Sequence, residues 1–216
     1  MTIQFSQNSH TYPVQKVRLQ GPVLYTTVGT PTVADGIASG FSTSDFLSTP
    51  SIREIPVQLQ MTTAFTAQQL ALSRLLCSNG GSSNYIGFTL TASGDIRFGL
   101  RSSSGTEQLV TSSVPYVPGT KYYAKAERNN TALSISVSTD KVNWITDTTT
   151  VESGVYSLTK SFYIGVYYAN SSSITSPFSG SIDLNETSIK LNGKLWFGKE
   201  SVKKIIKDGA VVWEEV

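Results

Sequence analysis

The stretch from Tyr122 to Ser138, YYAKAERNNTALSISVS, decides how this chain folds. Tyr122, Ala124 and Ala126 fall at every second position. Asn129-Asn130 interrupts them, and Leu133, Ile135 and Val137 return at the same spacing. Ser134, Ser136 and Ser138 take the opposite parity. Successive side chains of an extended chain point to opposite faces, so the alternation makes one face apolar and the other wet. Two such runs around an Asn-Asn pair predict an antiparallel hairpin.

The pattern continues on both sides. Ile86, Phe88 and Leu90 are joined to Ile96, Phe98 and Leu100 by the turn Ala92-Ser93-Gly94-Asp95, a second hairpin. Val57, Leu59, Met61 and Phe65 alternate around Gln58 and Gln60. Phe162, Ile164, Val166 and Tyr168 form a further strand, and Ile182, Leu184, Ile189 and Leu191 one or two more. Thr66 to Leu76 is rich in Ala, Gln and Leu and predicts a short helix, a bulged strand being the other reading of the same letters. Short strands at intervals of about 8–12 residues predict an all-β, two-sheet antiparallel jelly-roll sandwich over residues 21–198. Residues 1–20 read as an N-terminal arm. In residues 199–216, Val202, Ile205 and Ile206 are followed by Lys207-Asp208-Gly209 and then Val211, Val212 and Trp213, a C-terminal β-hairpin. So small a hairpin cannot bury its own apolar face and is expected to dock on the main domain, another subunit or a larger assembly.

Composition narrows the function. The chain has 216 residues, 17 Lys+Arg against 15 Asp+Glu, and only 15% charged residues, below the roughly 25% of an average domain. Its surface polarity comes instead from 31 Ser and 25 Thr. Hydrophobic content of 39%, with 3 Trp, 10 Tyr and 9 Phe, is enough for a packed core. A net charge of +2 gives no field to draw in nucleic acid. The one cysteine, Cys77, excludes an internal disulfide or a cysteine zinc site and reads as a buried small hydrophobe. The one histidine, His10, excludes chemistry needing two imidazoles and reads as a surface residue. No apolar run approaches the roughly 20 residues of a membrane span, and Met1 to Gln7 lack the pattern of a secretory signal.

Four stretches carry a resemblance: Ser83 to Leu90 with Gly94 to Phe98, Gly119 to Asn129, Ser138 to Trp144, and Phe178 to Leu184. In that order they are similar to the laminin-G-like, concanavalin-A-like jelly roll. The flanks, Val28 to Ser42, Ile182 to Phe197 and the terminal hairpin, resemble bacteriophage structural proteins. The resemblance implies a virion-surface protein folded in the host cytoplasm, with other virion proteins as partners. It implies a fibre or adsorption component that binds host-surface polysaccharide; the alternative is a capsid decoration, head-fibre or connector protein with a structural role. A trimer is the assembly that goes with a fibre.

Related jelly rolls include glycosidases, which place paired carboxylates on one face. Here the nearest approach is Asp183 and Glu186, whose odd separation puts them on opposite faces of a regular strand. No enzyme is expected. Related domains also bind calcium through loop oxygens, and Asn84, Asp95 and Asp183 are the residues that would supply them; Asp95 equally suits a turn. Exposed aromatics are the stronger signal. With Phe162, Ile164 and Val166 inside, Tyr163 and Tyr167 face out, and so does Tyr123 on its own strand. These rings offer sugars or partner proteins an apolar body with a polar tip. Arg97 and Arg101 read as a solvated face, and Lys203, Lys204 and Lys207 as guards of a strand edge.

Overall fold

The computed structural model describes residues 25–51, 54–79, 85–101, 107–157, 161–170, 173–191, 194–197, 200–201, 204–207 and 210–214. Among them there are strands and no helix, arranged as a two-sheet jelly-roll sandwich. One sheet has seven strands, in the order Thr26–Val28, Phe46–Ser51, Ser161–Ile164, Ser73–Asn79, Tyr85–Leu90, Ile96–Arg101 and Glu107–Thr111. The other has nine. Its main path runs Ile145–Thr150, Ala132–Ser138, Lys121–Asn129, Gln58–Ala67, Gly180–Leu191, Lys194–Phe197 and Glu200–Ser201. Thr32–Ala34 and Ile37–Ser39 join it alongside Gly180–Leu191. Every pairing is antiparallel.

The hairpin over Tyr122 to Ser138 forms as expected. Lys121–Asn129 pairs with Ala132–Ser138, Ala126 opposite Ile135. Asn130 turns the chain with φ 53°, a left-handed conformation that Asn tolerates. Tyr122, Ala124, Ala126, Leu133, Ile135 and Val137 are all buried. They meet Ile86, Phe88, Leu90, Ile96, Phe98 and Leu100 of the other sheet in one hydrophobic core. Aromatic rings fill its centre: Phe65 stacks on Tyr122 at 5.8 Å and meets Phe178 edge-on at 6.2 Å, and Phe88 lies 5.0 Å from Phe98. Arg128, the next residue in the inward phase after Ala126, is also buried.

The expected helix over Thr66–Leu76 is absent. Thr66 and Ala67 end one strand, and Ser73 begins the next, which carries an irregularity between Arg74 and Cys77. Tertiary hydrogen bonds override helix propensity here. The Gln68 N–H donates to Ser179 O at 2.9 Å, the Gly119 N–H to Ala67 O at 2.8 Å, and the Ala71 N–H to the Tyr116 hydroxyl at 3.1 Å.

The strand expected to run through Phe162, Ile164, Val166 and Tyr168 breaks in two. Gly165 has φ 84°, and the chain leaves the sheet there. Tyr167–Asn170 then pairs with Ser173–Thr175 as a separate two-stranded unit. At the C-terminus Lys204–Lys207 pairs with Ala210–Glu214, Ile205 opposite Trp213 and Ile206 opposite Val211. Val202, Lys203, His10 and the arm over residues 1–20 lie outside the described residues. No helix among the described residues is long and apolar enough to cross a membrane.

Cys77 is fully buried. Its thiol donates to Val166 O at 3.2 Å, and burial pushes its pKa up to about 12. The native chain should therefore resist a thiol reagent at about pH 8, where an exposed thiol reacts readily, and should release its single equivalent only in denaturant. Fast titration of the native protein would contradict that burial.

Candidate functional site

The expected binding tyrosines do not share a surface. Tyr123 lies on the outer face of the nine-stranded sheet, opposite Ala64 and Ser138. Tyr163 and Tyr167 lie on the outer side of the seven-stranded sheet. Tyr163 packs edge-on against Phe46 at 5.8 Å. Tyr167, displaced by the bend at Gly165, packs edge-on against Tyr85 at 5.9 Å. All three are half-buried, so one continuous tyrosine platform does not form.

The Tyr123 ring is already engaged. Lys121 Nζ lies 5.2 Å from its centre and Lys141 Nζ 4.7 Å. Lys121 is bound to Asp183 at 2.7 Å and Lys141 to Glu186 at 2.5 Å. The Asp183 and Glu186 side chains thus converge on one ring instead of pointing to opposite faces. The cause is a large bulge: Asp183 pairs with Ala64 and Ser188 with Thr62, so Thr63 alone faces the residues between. The bulge is pinned by Thr187 Oγ1 donating to Asp183 O at 2.8 Å and by the Leu184 N–H donating to Gly36 O at 2.7 Å. The rule of alternate parity holds only for a regular strand.

The calcium set is not assembled. Asp95 closes the 91–95 turn in the seven-stranded sheet, accepting from Ser93 at 3.0 Å and Arg97 at 2.6 Å. Those hydrogen bonds, Ser93 first, hold its carboxyl below the usual carboxylate range. Asp183 is in the other sheet, bound to Lys121, and Asn84 lies outside the described residues. No group of three His, Cys, Asp or Glu among the described residues could hold a metal ion.

The stretch from Ser138 to Trp144 carries part of the sequence resemblance, but no site was expected in it. The Asp140 carboxylate accepts the backbone N–H groups of Val142 and Asn143, each at 2.8 Å, and the Asn143 side chain at 2.7 Å. These bonds, led by those of Asn143 and Val142, drive its pKa well below the ordinary value. Lys141 takes φ 65°, and the Trp144 indole N–H donates to Lys141 O at 3.0 Å. The turn so locked presents Trp144 at 41% exposure between Val142 at 78% and Ile145 at 51%.

Val137 pairs with Ile145, and continuing that register by one residue sets Trp144 opposite Ser138. Asp183, Ala64, Tyr123, Ser138 and Trp144 then form one row across the outer face. Adjacent strands lie about 4.8 Å apart, so Trp144 sits two strands, about 10 Å, from Tyr123. The rows beyond are hydroxyl-rich: Ser188, Thr62, Lys125, Ser136 and Thr146, then Gln60, Glu127, Ser134 and Thr148. A legible signal did exist in Asp140 followed by Asn143 and Trp144, a turn-forming acid beside an indole.

No family model matches the chain, and no curated relative matches it. Its fold is shared with solved laminin G-like domains. The mouse laminin alpha1 chain, domains LG4-5, aligns over 94% of this chain with 17% identity and a TM-score of 0.54; this chain spans 50% of that one. The LG1-3 region of the laminin alpha2 chain aligns over 72% with 11% identity and a TM-score of 0.49, this chain spanning 33% of its length. Domain 4 of AbnA, a GH43 extracellular arabinanase from Geobacillus stearothermophilus in complex with arabinotriose, aligns over 74% of this chain and 79% of its own, with 17% identity and a TM-score of 0.51. At such identities the likeness is one of fold.

Proposed function

We propose that this chain is a non-catalytic glycan-binding module on the surface of a bacteriophage virion, a fibre or adsorption component that contacts host-surface polysaccharide through the outer face of its nine-stranded sheet. The observation that carries the reading is the fixed, exposed indole of Trp144 beside a hydroxyl-covered sheet. An indole with its N–H already bonded loses little freedom when a sugar stacks on it. Serine and threonine hydroxyls in the neighbouring rows can exchange hydrogen bonds with sugar hydroxyls. Asp183 and Glu186 are each bonded to a lysine, and this supports binding without hydrolysis. The AbnA domain, solved in complex with arabinotriose, is a jelly roll of related shape. The virion setting rests on the resemblance of the flanking sequences to phage structural proteins, as do the other virion proteins as partners and the trimer.

The test is a glycan array of bacterial surface polysaccharides probed with the purified chain and with Trp144→Ala. A retained glycan should lose about 2 kcal/mol of affinity in the variant, roughly 30-fold, with the melting temperature little changed. No retained glycan, or equal retention by both proteins, would overturn the reading.

One observation favours a structural role instead. Leu70 (49% exposed), Leu72 (55%) and Val117 (57%) come from loops at the same end of the sandwich as the Trp144 turn. Apolar residues gathered at one end suit a protein contact. A map of the intact particle with this chain on capsid faces would support a decoration role, and density at the tail tip an adsorption role.

A further inference from the structure

The outer side of the seven-stranded sheet holds a second cluster, away from the Trp144 turn. Arg74, Thr89 and Arg97 form one row across three strands, and Gly87 faces Gly99 in the next. A Cβ at Gly87 would stand 2.4 Å from Cys77 Cβ and 2.5 Å from Leu76 O, so no side chain fits there. The Tyr85 ring occupies the room: its Cε1 would lie 3.4 Å from a Cβ at Gly99, and its hydroxyl donates to Gly87 O at 3.1 Å.

The Arg74 guanidinium is held between the rings of Tyr85 and Tyr167, its carbon 4.7 Å from each centre. Nη1 donates to the Tyr85 hydroxyl at 2.6 Å and to Thr89 Oγ1. The rest of the group makes no hydrogen bond among the described residues. Nε is buried with no hydrogen bond. Among the described residues no carboxylate pairs with Arg74, and Nη2 makes no hydrogen bond. Arg97, whose Nε is likewise buried without a hydrogen bond, differs in having a carboxylate partner, Asp95 at 2.6 Å.

The Glu107 carboxylate lies near, its Oε1 3.5 Å from where a Cβ at Gly99 would stand, but makes no ion pair with Arg74. A cation covered on both faces and bonded to no carboxylate is costly to maintain. A leucine or methionine would fill the same space at lower cost. The arrangement makes sense when an oxyanion meets Nη2, the guanidinium nitrogen neither hydrogen-bonded nor buried, at the rim of a planar fork suited to a carboxylate. The occupant is also constrained by the backbone. All three strands around Arg74 are already paired on both sides, so an extended peptide has no edge to join. Only side chains are presented: the ring faces of Tyr85 and Tyr167, the Thr89 hydroxyl, Arg97 and the Glu107 carboxylate.

We propose that Arg74, between Tyr85 and Tyr167 and beside Thr89, binds the carboxylate of an acidic sugar. This is a second site on the opposite sheet, and it stands whether or not the Trp144 face binds glycan.

The experiment titrates the full chain with tetragalacturonate and with its methyl ester, followed by calorimetry. The acid should bind and the ester should not. Arg74→Lys keeps the charge but loses the fork, and should weaken binding at least about tenfold. Lys190→Gln removes an exposed charge elsewhere and should leave binding as it was. Equal binding of acid and ester would overturn the proposal, as would unchanged binding by Arg74→Lys or no binding at millimolar sugar. Competition by inorganic phosphate or polyglutamate as strong as by the sugar acid would also overturn it, because charge alone would then explain the affinity. The acid-to-ester comparison uses the unaltered chain, so its outcome is independent of how any variant folds.

Discussion

Replacing Arg128 with Met is expected to lower stability by about 3 kcal/mol or more, a fall of roughly 6–12 °C in melting temperature for a chain of this size. Arg128 is 2% exposed, at the end of the Lys121–Asn129 strand. It ties three segments together through their carbonyls. Nε donates to Asn130 O at 3.2 Å, Nη1 to Pro56 O at 3.0 Å, and Nη2 to Glu152 O at 3.0 Å and Gly154 O at 2.7 Å. These carbonyls belong to the entry of the neighbouring strand, the hairpin turn and the exit of the edge strand. Methionine replaces the aliphatic stem but none of the donors, so the buried Pro56 carbonyl loses its partner where water reaches poorly, and the carbonyls of the exposed Asn130, Glu152 and Gly154 lose the link that holds their segments together. Each such loss costs about 1–3 kcal/mol when uncompensated. Arg128→Lys keeps the charge and one donor position, so the stability order should be wild type, then Lys, then Met. Urea and thermal unfolding followed by circular dichroism measure it. A Met variant melting within about 2 °C of wild type, a shift of under 1 kcal/mol, would show that the carbonyls find other partners.

Arg128 also shows where sequence reading stops. The alternation of Tyr122, Ala124 and Ala126 is legible because it depends on one strand and a period of two. Arg128 is next in the same phase, so its inward direction was implied by that pattern. Its partners were not, because Pro56 and Glu152 lie far away in sequence and meet it only through sheet order. The two core hairpins were read correctly for the same local reason. The helix expected at Thr66 to Leu76 failed because Ser179, Tyr116 and Gly119, all distant, satisfy that loop's backbone. The candidate site follows this division. The outward direction of Tyr123 was local and legible. The convergence of Asp183 and Glu186 on its ring was not, since a bulge resets parity by an amount that pairing with Thr62 and Ala64 decides. The Trp144 turn was built from local residues and could have been read. Arg74 fell within the stretch read as a short helix, and nothing local marked it out; only the placing of Tyr85 and Tyr167 around it did so.

Gly165 is the residue that brings Tyr167 to Arg74, and substituting it should be nearly as damaging as losing Arg128. Its φ of 84° lies in the left-handed region, where a side chain costs about 1–2 kcal/mol. A Cβ would also stand 2.2 Å from Phe41 Cδ1 and 2.3 Å from Phe41 Cγ. The backbone cannot easily yield, because the Gly165 N–H donates to Leu75 O at 2.9 Å and the Phe178 N–H donates to Gly165 O at 2.8 Å. Phe41 is itself confined, 9% exposed and 6.3 Å from Phe178. Strain and overlap together predict a loss of about 3 kcal/mol for Gly165→Ala. Phe41→Ala alone should cost about 3–5 kcal/mol through the cavity it leaves. The double variant separates the two causes. Removing the ring abolishes the overlap but not the backbone strain, so the pair should be less destabilised than the sum of the singles, by roughly 1–2 kcal/mol. Strict additivity in urea unfolding would mean that Phe41 does not confine Gly165. A Gly165→Ala chain as stable as wild type would mean that the bend is not fixed by this glycine, and the position of Tyr167 over Arg74 would then need another cause.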